Sequence, residues 1–389
     1  MDDDSDAAST GNYTKLVIAA AFGGFAGFFL LFPVVPAIAE PLGGPFGAGA
    51  ATGVLGIGTV GAQLMSPFLL RQLGYKNLFV VGLALLGVPA LAYGRGEEVL
   101  WLILLITLLR GFGFGILTVV PPALIAGTVS DAVRSSSLGV YGFFMAAAGS
   151  LGPAVGLLLF DTSSVLVAVV GGAFPIAGAV LLLVQRIDAP AVLRIGWRQL
   201  TFVEAGRLSK LSRPLVGMLP GSIMYAGFYS FVPLWVDGGA PAALATFGLS
   251  FALGRLIGGK AEPAWPGLTM LGIGALAAAG GVGLVFISGG IPLIVGSALA
   301  GGGVGVMSIS SLLEALKTVK EDQLPVATAA WAVSFDSGLA AGGLVLGAVA
   351  VVADYDTAFL FAIGLLFLGT YVAMQPSRRV RSRLEEPAD

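Results

Sequence analysis

Two charged side chains stand inside otherwise apolar stretches: Arg110 in Leu-Leu-Arg110-Gly-Phe-Gly-Phe-Gly, and Asp336 in Trp331-Ala-Val-Ser-Phe335-Asp336-Ser-Gly338. A carboxyl group withdrawn from water can bind and release a proton, and a neighbouring arginine would tune that exchange or hold an anionic group. Holding a charge deep in apolar surroundings costs about 3 kcal/mol even on lenient insertion scales, so such residues are usually tied to function. The competing role for Asp336 is structural, a hydrogen bond to a neighbouring helix or to backbone near Gly338. For Arg110 the requirement is a water-filled cavity or an acidic partner.

The remaining chemistry is sparse. The chain has no cysteine and no histidine, which excludes disulfides, thiol nucleophiles, haem and Cys/His zinc sites, Ser-His pairs and any histidine proton relay. No metal site and no resident cofactor are expected, and the apolar segments hold no paired carboxylates, so no enzyme is expected. Glu314 and Arg255 fall near segment ends, where they are candidates for a gating ion pair or simply reach out to water. Gln63, Tyr225, Tyr229, Trp331 and Phe335 are candidates for lining a cavity, whereas Trp235 fits a membrane interface. Three glycine patterns imitate nucleotide sites: Gly56-Ile-Gly-Thr-Val-Gly61, the Gly254 to Lys260 run, and Gly301 to Gly305. Each lies in an apolar helical stretch with no preceding strand, and Ala261 stands where a phosphate loop needs Ser or Thr. They read as small residues that let helices approach closely.

Positioning these groups requires a membrane. Hydrophobic residues make up 57% of the 389 and charged residues 11%, far from the roughly quarter-charged share of a soluble domain. The apolar residues fall into twelve runs, each long enough to cross a bilayer. They lie at about 14–39, 47–70, 77–94, 99–128, 135–160, 163–185, 214–236, 240–259, 267–288, 290–316, 325–352 and 357–375. The expected organisation is an acidic N-terminus 1–13, a six-helix bundle 14–185, a basic linker 186–213, a second bundle 214–375 and a tail 376–389. The amino-terminal run lacks the features of a cleaved signal and is expected to remain as the first span. With the N-terminus inside, 18 of the 20 basic residues fall on the cytoplasmic side, leaving Arg95 outside and Arg110 within a span. This asymmetry places both termini in the cytoplasm of a multi-pass plasma-membrane protein. It also makes the Asn12-Tyr13-Thr14 acceptor a chance match. The acidic start at Asp2, Asp3, Asp4 and Asp6 reads as the mark of a salt-adapted, archaeal chain. Sliding one half on the other by 190 residues sets Thr128 on Thr318, Asp131 on Glu321, Tyr141 on Trp331 and Gly152 on Gly342, a weak internal repeat.

The six-plus-six layout with a basic middle loop resembles the major facilitator superfamily. Arg71-Gln-Leu-Gly74-Tyr-Lys76 resembles its second-to-third-helix loop, although Arg71 occupies the usual acidic position. Arg255 to Glu262, with Lys260, resembles the matching loop of the second half. Arg110 followed by Gly113 and Gly115 resembles the fourth-helix arginine motif, which the resemblance ties to proton coupling. Ala148 to Gly156, with Gly152 and Pro153, is similar to the fifth-helix motif of drug and metabolite antiporters and implies a closely packed, bending helix. Phe335 to Gly338 is similar to a stretch found in the superfamily's exporters.

The resulting expectation is an all-α membrane protein of twelve helices in two bundles. It would export a small, neutral or amphipathic organic molecule in exchange for protons, with sodium as the alternative ion. Asp336 would carry the proton, Arg110 would tune it, and Gly152, Pro153, Gly156 and Gly338 would serve packing and bending. The alternatives are a proton-coupled importer of a sugar or organic acid, and a non-transporting receptor or scaffold. The expected partners are the small-molecule cargo and the lipid bilayer, with no nucleic acid, and a monomer is expected.

Overall fold

The computed structural model describes residues 2–94, 99–129, 131–184, 212–261, 264–287, 289–320 and 323–375. Linker residues 186–211, the C-terminal tail, Arg95 and Glu262 lie outside the described residues. The elements are α1 (Asp2–Leu31), α2 (Val34–Gly87), a short 3-10 turn (Pro89–Ala92), α3 (Leu100–Thr128), α4 (Asp131–Thr162), α5 (Ser164–Val184), α6 (Ser212–Trp235), α7 (Ala240–Ala261), α8 (Gly267–Val285), α9 (Gly290–Lys317), α10 (Leu324–Val352) and α11 (Tyr355–Met374). Among the described residues there is no strand.

Among the described residues, ten stretches are long and apolar enough to cross a membrane, and the first of them runs 81 residues, from Asn12 to Ala92. At 1.5 Å per residue that is about 120 Å, roughly four bilayer cores, so it cannot be one crossing. Its breaks are visible in the backbone. The chain turns at Phe32–Pro33, leaves helical geometry at Gly43 and Gly44, and leaves it again at Gly74 with φ +73°. A positive φ strains any residue with a β-carbon, so the expected loop around Gly74 is made by glycine chemistry. The run therefore folds into three antiparallel segments. The first expected span, 14–39, is accordingly not one straight helix, because Pro33 supplies no amide to continue the ladder.

Successive crossings alternate in direction, which sorts the turns onto two faces. One face carries Gly74, Val129, the Ala264–Pro266 turn and Thr318, together with Arg71, Lys76, Arg134, Lys260 and Lys320; we call it the basic face. The other carries Gly43–Gly44, Ser163, Gly239 and Asp354. Within the first half, α1 packs on α4 and α5, and α2 on α3; within the second, α9 packs on α7 and α8, and α10 on α6. The halves meet mainly where α2 lies along α10 and α4 along α7.

In lipid, apolar surface does not drive helices together, so close packing of small residues must. Gly152 lies against Phe29 and Leu30 of α1, and Gly342 lies against Ile223 and Ala226 of α6. The two positions that the repeat overlays thus make equivalent contacts in the two halves. Gly156 lies against the Leu30 carbonyl and Gly338 against Ser222, so these glycines, with Pro153 inside the same helix α4, pack each half internally.

Candidate functional site

Between the halves lies a cavity of about 520 Å³, lined from both of them. The first half contributes Phe25, Phe28 and Phe29 of α1 and Phe32 just past its end, Gln63 of α2, Phe114 and Thr118 of α3, and Tyr141 and Met145 of α4. Phe25, Phe28, Phe29 and Phe32 recur at i, i+3, i+4 and i+7, the spacing that gathers side chains on one helix face. The second half contributes Tyr225, Phe251, Arg255, Trp331, Phe335 and Asp336. Tyr141 and Trp331, overlaid by the repeat, both line it. Its rings contact one another directly: Tyr225 stands 5.1 Å from Phe251 and 5.6 Å from Phe335, and Trp331 stands 5.7 Å from Phe335, centroid to centroid.

Asp336 is buried, and its Oδ2 accepts a hydrogen bond of 2.6 Å from Nε2 of Gln63. The same Gln63 nitrogen donates to Oγ1 of Thr118 at 3.1 Å. The Gln63 carbonyl oxygen Oε1 is buried without a partner. The bond joins α10 in the second half to α2 in the first. An ionised carboxylate only accepts, whereas a carboxylic acid must also donate. A proton on Asp336 therefore changes what Gln63 must present: the unpartnered Oε1 is the acceptor that a protonated Asp336 calls for, reached by turning the amide.

Arg255 also belongs to the cavity. Its NH1 donates to Oγ of Ser308 at 2.7 Å, and its guanidinium carbon lies 5.9 Å from the Phe251 ring centroid and 5.7 Å from that of Trp331. Trp331 is itself fixed by a 2.9 Å bond from Nε1 to Oγ of Ser311. The gate pairing expected of Glu314 and Arg255 is not formed. Glu314 instead lies against Gly267 at the start of α8, where a methyl on that glycine would stand 2.8 Å from its Oε2. Arg255 has turned inward because Ser308 and two ring faces offer the partners that a segment-end arginine otherwise seeks in water.

Arg110 is almost fully buried, 1% exposed, yet it is not in this cavity. Its Nε donates to the Leu86 carbonyl at 3.2 Å and NH2 to the Gly27 carbonyl at 3.4 Å, and it lies 5.6 Å from the Tyr93 ring centroid. Beside it is a recess of about 10 Å³ lined by Phe28, Phe32, Thr52 and Thr107, room for a single water at most. The structure thus does not bring Arg110 and Asp336 together. The arginine binds α1, α2 and α3 to one another, with no carboxylate partner among the described residues.

On the face opposite the basic one the halves are shut. Thr52 Oγ1 and Ser230 Oγ share a 2.6 Å hydrogen bond across them. Gly49, Gly53 and Gly56 of α2 lie against Gly343, Leu344 and Ala340 of α10. Ser150 donates to the Gly248 carbonyl at 3.1 Å, and Tyr229 to the Gly149 carbonyl at 3.4 Å. Toward the basic face the lining ends in Leu312 and Thr328, and Thr328 is exposed. The cavity is therefore reached from the basic face and closed at the other. Of the other expected residues, Arg71 and Lys76 flank the Gly74 turn, and Lys260 sits in the last turn of α7, all at the basic face and apart from the cavity.

The model of the family described as Major Facilitator Superfamily matches residues 17–312. No curated protein matches the chain by sequence. Among solved structures the chain is similar to the nucleoside transporter NupG, with 16% identity and a TM-score of 0.76, covering 93% of this chain and 98% of that one. A POT family transporter in complex with 5-aminolevulinic acid aligns with 12% identity and a TM-score of 0.74, covering 93% and 95%. A bacterial homologue of the human lysosomal transporter Spinster, inward-facing and unoccupied, aligns with 14% identity and a TM-score of 0.71, covering 97% and 99%. At these identities the likeness is one of fold.

Proposed function

The chain belongs to the major facilitator superfamily, and from that premise we propose that it is a proton-coupled transporter of a small organic molecule, working by alternating access with Asp336 as the proton-carrying group. The observation that carries this reading is the Asp336–Gln63 hydrogen bond, which joins the two halves at the wall of a cavity of drug-like size. A proton arriving at Asp336 alters a contact between the two bodies that must rock past each other, and this is how a gradient does work on a carrier. With the basic face in the cytoplasm, as the distribution of basic residues supports, the described conformation is inward-facing. Its outer seal is the α2–α10 contact together with the Thr52–Ser230 bond. In this scheme Arg110 braces the first half and stands outside the proton path.

Export against protons and uptake with protons use the same carboxyl group and differ in which protonation state the cargo joins. The test of the common claim is reconstitution into liposomes with a trapped pH indicator, followed by addition of a mixed pool of organic acids, amines and neutral metabolites. Proton movement that accompanies one class of compound, and that is lost in Asp336→Asn, is the expected result. Proton movement equal in the two proteins would remove Asp336 from the mechanism.

A further inference from the structure

Among the described residues, the ionisable groups lining the cavity are Asp336 of α10, Arg255 of α7, Tyr225 of α6 and Tyr141 of α4. The lining residues from α1, α2 and α3 add none, and Gln63 and Thr118 are their polar contribution facing Asp336. With the tyrosines neutral, the net charge of these described groups is zero when Asp336 is ionised and +1 when it is protonated. A ring-lined space between helices tolerates an uncompensated charge poorly. Once Asp336 takes a proton, Arg255 is the cation left to be neutralised, and an anion is what neutralises it. When the proton leaves, the same anion faces an ionised carboxylate and is expelled. The proton and the anion are thus bound together and released together.

The form of the anion follows from the guanidinium. Among the described residues Arg255 makes one hydrogen bond, through NH1 to Ser308, and its remaining N–H groups have no protein partner. A planar fork with free donors matches a carboxylate. The rest of the cargo meets Phe25, Phe29, Tyr225, Phe251 and Phe335, surfaces suited to a flat apolar body. We propose that the cargo is a ring-bearing monocarboxylate carried together with a proton, its carboxylate held by Arg255 while Asp336 holds the proton. This rests on the proton-coupled reading above and assigns it symport in place of the exchange expected from sequence.

The experiment is calorimetric titration of the full chain in lipid nanodiscs, on the alkaline side of neutrality, in two buffers of different ionisation enthalpy. The probes are hippurate, its uncharged primary amide, and phenethylammonium. Hippurate is expected to bind with uptake of about one proton. Arg255→Gln is expected to weaken hippurate roughly ten- to hundredfold and leave the amide within about twofold. Asp336→Asn is expected to bind hippurate without proton uptake. Arg255→Lys, which keeps the charge and loses the fork, should fall between the parent and Arg255→Gln, and amide binding by the variants shows that they are folded. Tighter binding of phenethylammonium than of hippurate, absence of hippurate binding, hippurate binding without proton uptake, or equal loss of hippurate and amide in Arg255→Gln would each overturn the inference. Failure here with Asp336-dependent proton movement still present in the mixed-pool assay would leave proton-coupled transport standing; loss of that movement would bring down the parent reading.

Discussion

The closed face offers the sharpest perturbation, because the α2–α10 contact has no room for one additional carbon. A methyl group on Gly343 would stand 2.5 Å from the Gly49 carbonyl oxygen and 2.7 Å from the Gly53 amide nitrogen. Both are helix backbone, which cannot rotate aside, and comfortable carbon contacts begin near 3.5 Å, so the helices must separate by about 1 Å. Overpacking of this kind costs about 1–3 kcal/mol, and here the cost falls on the state in which the two halves touch. Gly343→Ala should therefore shift the equilibrium toward opening of this face by roughly five- to 150-fold. Because the chain has no cysteine, Ser230→Cys supplies a unique thiol within the seal, where Ser230 now bonds Thr52. Its labelling rate with a membrane-impermeant maleimide in proteoliposomes then reports the open population. The control is Gly61→Ala, in the same helix α2, where an added methyl meets nothing within 4 Å. Unchanged labelling in Gly343→Ala, or an equal rise in Gly61→Ala, would refute the assignment of this contact as the seal.

Arg110→Met removes hydrogen bonds to the Leu86 and Gly27 carbonyls and the Tyr93 ring contact; the protein should melt at lower temperature while proton coupling survives in the folded fraction. Loss of coupling at an unchanged Tm would return Arg110 to the proton path. At the head of α11, Asp354 caps the helix by accepting from the Thr357 amide at 2.7 Å, and its bonds to Thr357 hold the carboxyl below the usual carboxylate range. A depressed folded value means that the cap stabilises at neutral pH and is lost as pH falls through that value, so Asp354→Asn should flatten the acid limb of a thermal-stability profile. An acid limb unchanged in that variant would contradict the capping assignment.

What the sequence carried and what it withheld divide along physical lines. Hydropathy run-lengths marked the crossings, since a bilayer imposes one length scale on every segment. Gly74 was legible as a turn, because a loop of the expected type needs a residue tolerant of positive φ, here +73°. Asp336 was legible because an ionisable group deep in an apolar segment demands an explanation. Arg110 answered the same demand differently, through two backbone carbonyls and a ring face, and nothing in its local sequence distinguishes those partners from a cavity. Arg255 was misplaced for the converse reason. Its position near the end of α7 suggested contact with water, but the cavity lies in the half of the bundle nearest the basic face, so a residue at that depth lines it. The ring cluster did have a signal in the spacing of Phe25, Phe28, Phe29 and Phe32. That they face the second half and not lipid is a property of how the halves pack, as with the contact of Phe32 and Tyr229 at 5.4 Å between centroids.

The most direct test of the account separates exchange from accumulation in Asp336→Asn. Liposomes carrying the parent protein or the variant would be followed for isotope counterflow of a transported compound, then for its build-up under an imposed pH gradient. If Asp336 carries the coupling proton, the parent accumulates the compound, whereas the variant exchanges it and comes only to equilibrium. Accumulation by Asp336→Asn to the parent's level would contradict the account at its centre.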